Sequence, residues 1–152
     1  MHEPIIPPLA SHGHLALTEA ELIAWGERFG RAVSAPLIVT IAGDLGAGKT
    51  TLVRAICRGY GVSEDVTSPP FALVHKYAAP RAPVFHVDLY RLENADELTN
   101  MGWDELLNEE ALILIEWPER AAGRIPRNHV PISLQHLDDQ PHRRLLYAGG
   151  HV

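Results

Sequence analysis

Residues Gly43-Asp44-Leu45-Gly46-Ala47-Gly48-Lys49-Thr50 satisfy the pattern G-x-x-x-x-G-K-[ST] at every defined position, and their flanks constrain the fold more than any other stretch of the chain. Residues 37–42, Leu-Ile-Val-Thr-Ile-Ala, are short, aliphatic and β-branched, which predicts a strand buried on both faces of a parallel sheet. After the glycine-rich turn, Leu52, Ala55, Ile56 and Gly59 recur at helical spacing, and Gly59 and Gly61 are placed to stop that helix. A strand, a glycine loop and a helix in this order form a phosphate-binding device. The glycines let successive N–H groups gather around an anion, and the helix near Gly48 adds its positive dipole end. Gly43, Asp44, Leu45, Gly46, Ala47 and Gly48 supply the cradle. Lys49 is assigned to the β- and γ-phosphates of ATP, the Thr50 hydroxyl to magnesium, and Thr51 to the α-phosphate. An ordinary glycine-rich turn with a solvated lysine is the bland alternative. Lysine is scarce, however: Lys49 and Lys76 are the only two in the chain.

The rest of the chain reads as one domain around that unit. At 152 residues there is room for one core and little more. Residues 1–12, with Pro4, Pro7 and Pro8 and no sustained period, are expected to be a flexible leader to an ATPase domain over 13–152. Residues 14–17 are a short strand candidate. Thr18 and Glu21 have the capping-box spacing of a helix start, and Leu22, Trp25, Gly26, Phe29 and Val33 form its buried stripe up to Ser34-Ala35-Pro36. Residues 62–71 read as loop, 72–78 and 84–87 as strands, 89–107 as mostly helical, and 111–115 as another buried strand. A short helix over 118–123 precedes a closing strand pair, 130–137 and 143–147. The helix start near residues 17–22 is the expected neighbour of the adenine base.

Two strands end in a carboxylate, Val84-Phe85-His86-Val87-Asp88 and Leu112-Ile113-Leu114-Ile115-Glu116. Ligands of open α/β sheets bind at that edge, and magnesium beside a phosphate loop is held through oxygen. One carboxylate is assigned to magnesium and the other to the attacking water. Glu116 is favoured for the metal, because its strand is the more aliphatic, and Asp88 for the water. Helix or turn capping is the competing role for each.

Composition excludes several classes. The longest apolar stretches, 37–42 and 111–115, fall far short of the roughly 20 residues of a membrane span. A net charge of -6 disfavours a general RNA-binding surface. Cys57 is the only cysteine, so no internal disulfide forms and a reducing cytoplasm is the expected setting. Neither lysine lies in the Asn/Thr-Lys-x-Asp motif of guanine recognition. The nine histidines have no ligand-like spacing. Arg120, Arg124 and Arg127 form a basic cluster beside Trp117, suited to phosphate, tRNA or an acidic partner, or simply to solvent.

The phosphate loop, Val66-Thr67-Ser68-Pro69, Asp88-Leu89-Tyr90-Arg91-Leu92, Glu97-Leu98 and Glu116-Trp117-Pro118, taken in this order, resemble the bacterial TsaE (YjeE) family over about residues 15–134. The resemblance implies an α/β, single-domain P-loop NTPase-like fold with a mostly parallel central sheet flanked by helices and a C-terminal antiparallel strand pair. It further implies an ATPase, using ATP and Mg2+, that docks on the TsaB and TsaD proteins. Together they threonylcarbamoylate adenosine next to the anticodon of tRNA, with the transfer chemistry on TsaD and tRNA met only through the complex. Lys49, Asp88 and Glu116 then carry catalysis, with Thr50 and Glu116 on the metal. One departure stands out. The family commonly has Ser-Pro-Thr and an aromatic where this chain has Ser68-Pro69-Pro70-Phe71, so a threonine hydroxyl is missing. Two other readings fit the residues: a small-molecule kinase with Arg120, Arg124 and Arg127 as lid arginines, and a nucleotide-dependent binding module that never turns over.

Overall fold

A computed structural model describes residues 14–67 and 73–149. The expected leader and the Pro70 departure lie outside these residues. Among the described residues seven strands form one mixed sheet: β1 (His14–Thr18), β2 (Leu37–Gly43), β3 (Val74–Tyr77), β4 (Val84–Asp88), β5 (Leu112–Glu116), β6 (Val130–His136) and β7 (Arg143–Ala148). Their spatial order is β1-β7-β6-β2-β5-β4-β3. β6, β2, β5 and β4 run parallel, and the outer pairs β1–β7, β6–β7 and β3–β4 are antiparallel. The aliphatic β2 therefore lies at the centre, where both faces need covering.

The two faces are covered differently. α1 (Glu19–Ala32) and α2 (Lys49–Tyr60) pack on one face against Val39, Ile41, Leu112, Leu114 and Ile132. On the other, Ile38, Ile113 and Ile115 meet Leu89, Leu98 and Trp103. Alternate residues of β2 and β5 thus enter different cores, as strand pleating requires. α1 opens with the expected capping box, Thr18 accepting from the Glu21 amide and the Glu21 carboxylate accepting from the Thr18 amide. Its stripe of Leu22, Trp25, Gly26 and Phe29 is buried as the spacing predicts.

Two expectations need correction. Gly59 does not stop α2; it lies within the helix, where a Cβ would strike the Glu27 carbonyl of α1. Its role is close helix crossing. Gly61, with φ +110°, is the residue that ends α2. The span 89–107 is less helical than expected, containing only α3 (Asp96–Asn100) and α4 (Trp103–Leu107) after a turn. Side-chain anchoring replaces helical continuity there. Leu89, Leu92, Leu98 and Trp103 are buried under the sheet, and the Trp103 indole donates to the Arg124 carbonyl.

Candidate active site

β2, β4 and β5 all end at one edge, and parallel register places their last residues side by side. Ile41 pairs with Glu116, and Glu116 with Asp88. The Glu116 and Asp88 side chains lie on the α2 face, two positions beyond Leu114 and His86 in the same pleat. β2 runs straight into the glycine loop. Gly43 adopts φ +155°, and a Cβ there would strike the Leu134 carbonyl of β6, so the loop leaves the sheet through a gap that fits only glycine. Gly48, at φ +101°, is the residue before α2, next to Leu22 of α1. Asp44, Leu45 and Gly46 form an exposed tip, while Ala47 is buried beneath it.

Lys49 opens α2 and is only 5% exposed. Its ammonium donates to the carbonyls of Gly43 (2.7 Å) and Asp44 (2.8 Å), within the same loop, and sits 4.2 Å from the centre of the Trp117 ring. Burial holds it below the ordinary lysine value, against the pull of Glu116, Glu119, Asp88 and Asp44. The cation is thus desolvated and held by weak acceptors. A phosphate is a stronger acceptor for it than a peptide carbonyl.

The Thr50 hydroxyl lies 3.4 Å from both oxygens of Glu116. Hydroxyl and carboxylate side by side are an oxygen donor set that fits magnesium, which takes one or two protein ligands and keeps the rest of its shell in water and phosphate. Glu116 is almost fully buried, and its Oε2 is 2.6 Å from His86 Nε2. Asp88 is less enclosed. Burial raises its carboxyl above the ordinary value and Glu116 adds to that rise, while the Tyr90 amide, donating to Oδ1 at 3.1 Å, opposes it. Asp88 therefore also caps the turn after β4. Thr51, one residue beyond Thr50, is half-buried in the first turn of α2.

Two residues of the expected basic cluster have separate partners. Arg124 donates to the Ala95 carbonyl and the Thr99 hydroxyl, bracing α3, whereas Arg120 lies over the rings of Tyr90 (5.4 Å) and Trp117 (5.8 Å). Glu97 likewise serves local structure, accepting from the amides of Glu93 and Asn94. Sequence reasoning missed His86. Its signal was a polar residue inside an otherwise apolar strand, two positions before a carboxylate.

A glycine loop, a parked lysine and a threonine beside a buried glutamate stand on one sheet edge in the chain order of the motifs above. The model of the threonylcarbamoyl adenosine biosynthesis protein TsaE matches residues 16–145. The chain belongs to the TsaE family. Curated relatives described as tRNA threonylcarbamoyladenosine biosynthesis protein TsaE agree with this. The Haemophilus influenzae protein is 33% identical over 133 residues, covering 84% of each chain, and the Treponema pallidum protein is 36% identical over 115 residues, covering 76% of this chain and 84% of its own. The one from Bacillus subtilis is 32% identical over 113 residues, 74% of this chain and 70% of its own. The crystal structure of Bacillus subtilis YdiB superposes with a TM-score of 0.74 at 22% identity, over 99% of this chain and 89% of that one. That likeness supports the fold. Among the described residues no helix is long and apolar enough to cross a membrane.

Proposed function

We propose that this chain binds ATP-Mg in the loop Gly43–Thr51, hydrolyses it, and thereby serves threonylcarbamoylation of adenosine next to the anticodon of tRNA, acting on a TsaB–TsaD complex in the cytoplasm. The pathway follows from the family and the names of the relatives. The observation that carries the nucleotide reading is Lys49, a buried cation whose contacts among the described residues are carbonyls of its own glycine loop and a π face. A purely structural lysine gains little from such a place, because burial disfavours its charge. The backbone amides of the loop and the N-terminus of α2 receive the phosphates, and Lys49 leaves its carbonyls for them.

Thr50 and Glu116 would hold magnesium, which when bound neutralises charge on the phosphate oxygens. Asp88 orients the attacking water in this reading, supported by its position beside Glu116 and its greater openness. It does so only when ionised, so its raised value sets the acid limb of turnover. A kinase would need mobile arginines over the loop. Arg124, one of the three candidates, is instead tied to Ala95 and Thr99 and is not free for that role.

The test is phosphate release from ATP by the pure protein, with and without purified TsaB and TsaD, for wild type, Glu116→Ala and Asp88→Ala. Wild type is expected to turn over faster with the partners, and both variants to lose about a hundredfold or more. ATP binding without phosphate release under any of these conditions would establish a non-hydrolysing binding module.

A further inference from the structure

His86 is fully buried in β4, on the face packed against α2 and in a pleat whose neighbours Val84, Leu112 and Leu114 are apolar. Packing alone would favour an aliphatic residue here. One ring nitrogen, Nδ1, is buried with no hydrogen-bond partner among the described residues, and such an atom costs stability that an apolar side chain would avoid. The other, Nε2, makes a 2.6 Å contact with Glu116 Oε2. With a proton on Nε2 the ring donates to the carboxylate.

The contact of Glu116 with Thr50 is looser. Thr50 Oγ1 is 3.4 Å from both of its oxygens, long and evenly shared, so the hydroxyl does not select one rotation of the carboxylate. The imidazole does select one. It holds Oε2 and leaves Oε1, which lies as near to Thr50 Oγ1 as Oε2 does, outside that contact.

We infer that His86 is a positioning residue for the metal: by tying Oε2 it fixes the Glu116 carboxylate so that Oε1 and the Thr50 hydroxyl present one preformed pair of oxygen donors to magnesium. The inference rests on the ATP-Mg reading above. It assigns His86 no contact with nucleotide or water. Outer-shell partners of metal-binding carboxylates typically change metal affinity or activity by about 10- to 100-fold when removed.

The test measures how far magnesium tightens nucleotide binding. ATP affinity is determined by calorimetry with and without magnesium for wild type, His86→Phe, His86→Met and His86→Gln, with a thermal melt of each to confirm folding. His86→Phe and His86→Met are expected to lose about 10-fold or more of the tightening by magnesium, and to need correspondingly more magnesium for half-maximal turnover. Metal-free ATP affinity should stay near wild type, because Lys49 and the loop amides are untouched. His86→Gln keeps an N–H donor for Oε2 and should recover most of the loss. A general packing defect would not follow this ranking. Wild-type magnesium dependence in whichever apolar variant folds, or His86→Gln no better than the apolar variants, overturns the inference. Absence of ATP binding by wild type itself would instead sink the nucleotide reading.

Discussion

Each end of the central sheet holds a cation against backbone carbonyls and an aromatic ring, and the two cations differ in their acceptors and surroundings. At the carboxyl edge Lys49 contacts the carbonyls of Gly43 and Asp44 and the Trp117 ring at 4.2 Å. At the amino edge the Arg81 guanidinium donates to the carbonyls of Gly30, Val33 and Tyr60 and lies 4.2 Å from the centre of the Tyr60 ring. Those carbonyls belong to the last turns of α1 and α2 or the residue just past them. Helix C-termini carry unsatisfied carbonyls and partial negative charge, so a planar fork across both ends is a permanent clamp. Lys49 has the reverse setting: a point charge, buried, with acceptors from a loop and carboxylates around it. The same inventory of contacts is structural where acceptors are otherwise orphaned, and under the proposed function it serves a ligand where the cation is the group left wanting.

The contrast breaks most easily at Lys49. Lys49→Ala is expected to weaken ATP-Mg binding by roughly a hundredfold or more, since it removes a desolvated charge aimed at phosphate. Its melting temperature should stay within a few degrees of wild type. Calorimetry and a thermal melt check both halves, and a large loss of stability with intact binding would make Lys49 a second clamp. The opposite pattern is expected for Arg81→Ala. It should cost about 1–2 kcal/mol of stability by leaving helix-end carbonyls to water, or roughly 2–8 °C in melting temperature, while ATP affinity stays within about twofold. Arg81→Lys should recover only part, because a point charge does not span three carbonyls.

Much of this architecture is legible in the sequence, and what escapes does so for definable reasons. The strand, loop and helix around Lys49 are local, each specified by residues within a few positions, and the carboxylates ending β4 and β5 are marked by the apolar runs they close. Arg81 carries no such mark. It is a polar residue in a proline-flanked turn, and its partners at Gly30, Val33 and Tyr60 are 21 to 51 positions away. His86 escapes similarly, as its partner is 30 residues on and only parallel register brings the two together. Gly59 reads as a helix stop because glycine usually is one; only the crossing with α1 makes it a contact residue. Arg124 reads as one of a basic cluster because spacing cannot foresee that α3 will occupy it.

The finest separation of the two cations is by pH. Burial lowers the Lys49 value in the nucleotide-free protein, whereas guanidinium stays charged throughout the accessible range. For the fold itself, an unfolded chain with an ordinary lysine value of 10.5 binds the proton more tightly than the native state, so the Lys49 contribution to stability improves as pH rises between the two values. For binding the sign is opposite. Bound phosphate favours the ammonium and raises its value again, so between the free and bound values each binding event takes up a proton, and affinity falls as pH rises through the free-state value. A loss of ATP affinity is expected as pH rises from neutrality toward the ordinary lysine value of 10.5, bounded by the tenfold per unit that full deprotonation would give. Calorimetry in buffers of different ionisation enthalpy reads the proton uptake directly. Lys49→Arg should abolish the uptake, and Arg81→Ala should leave it intact. If wild type binds with constant affinity and no proton uptake across that range, Lys49 is as permanently charged as Arg81, and the two ends of the sheet differ in geometry alone.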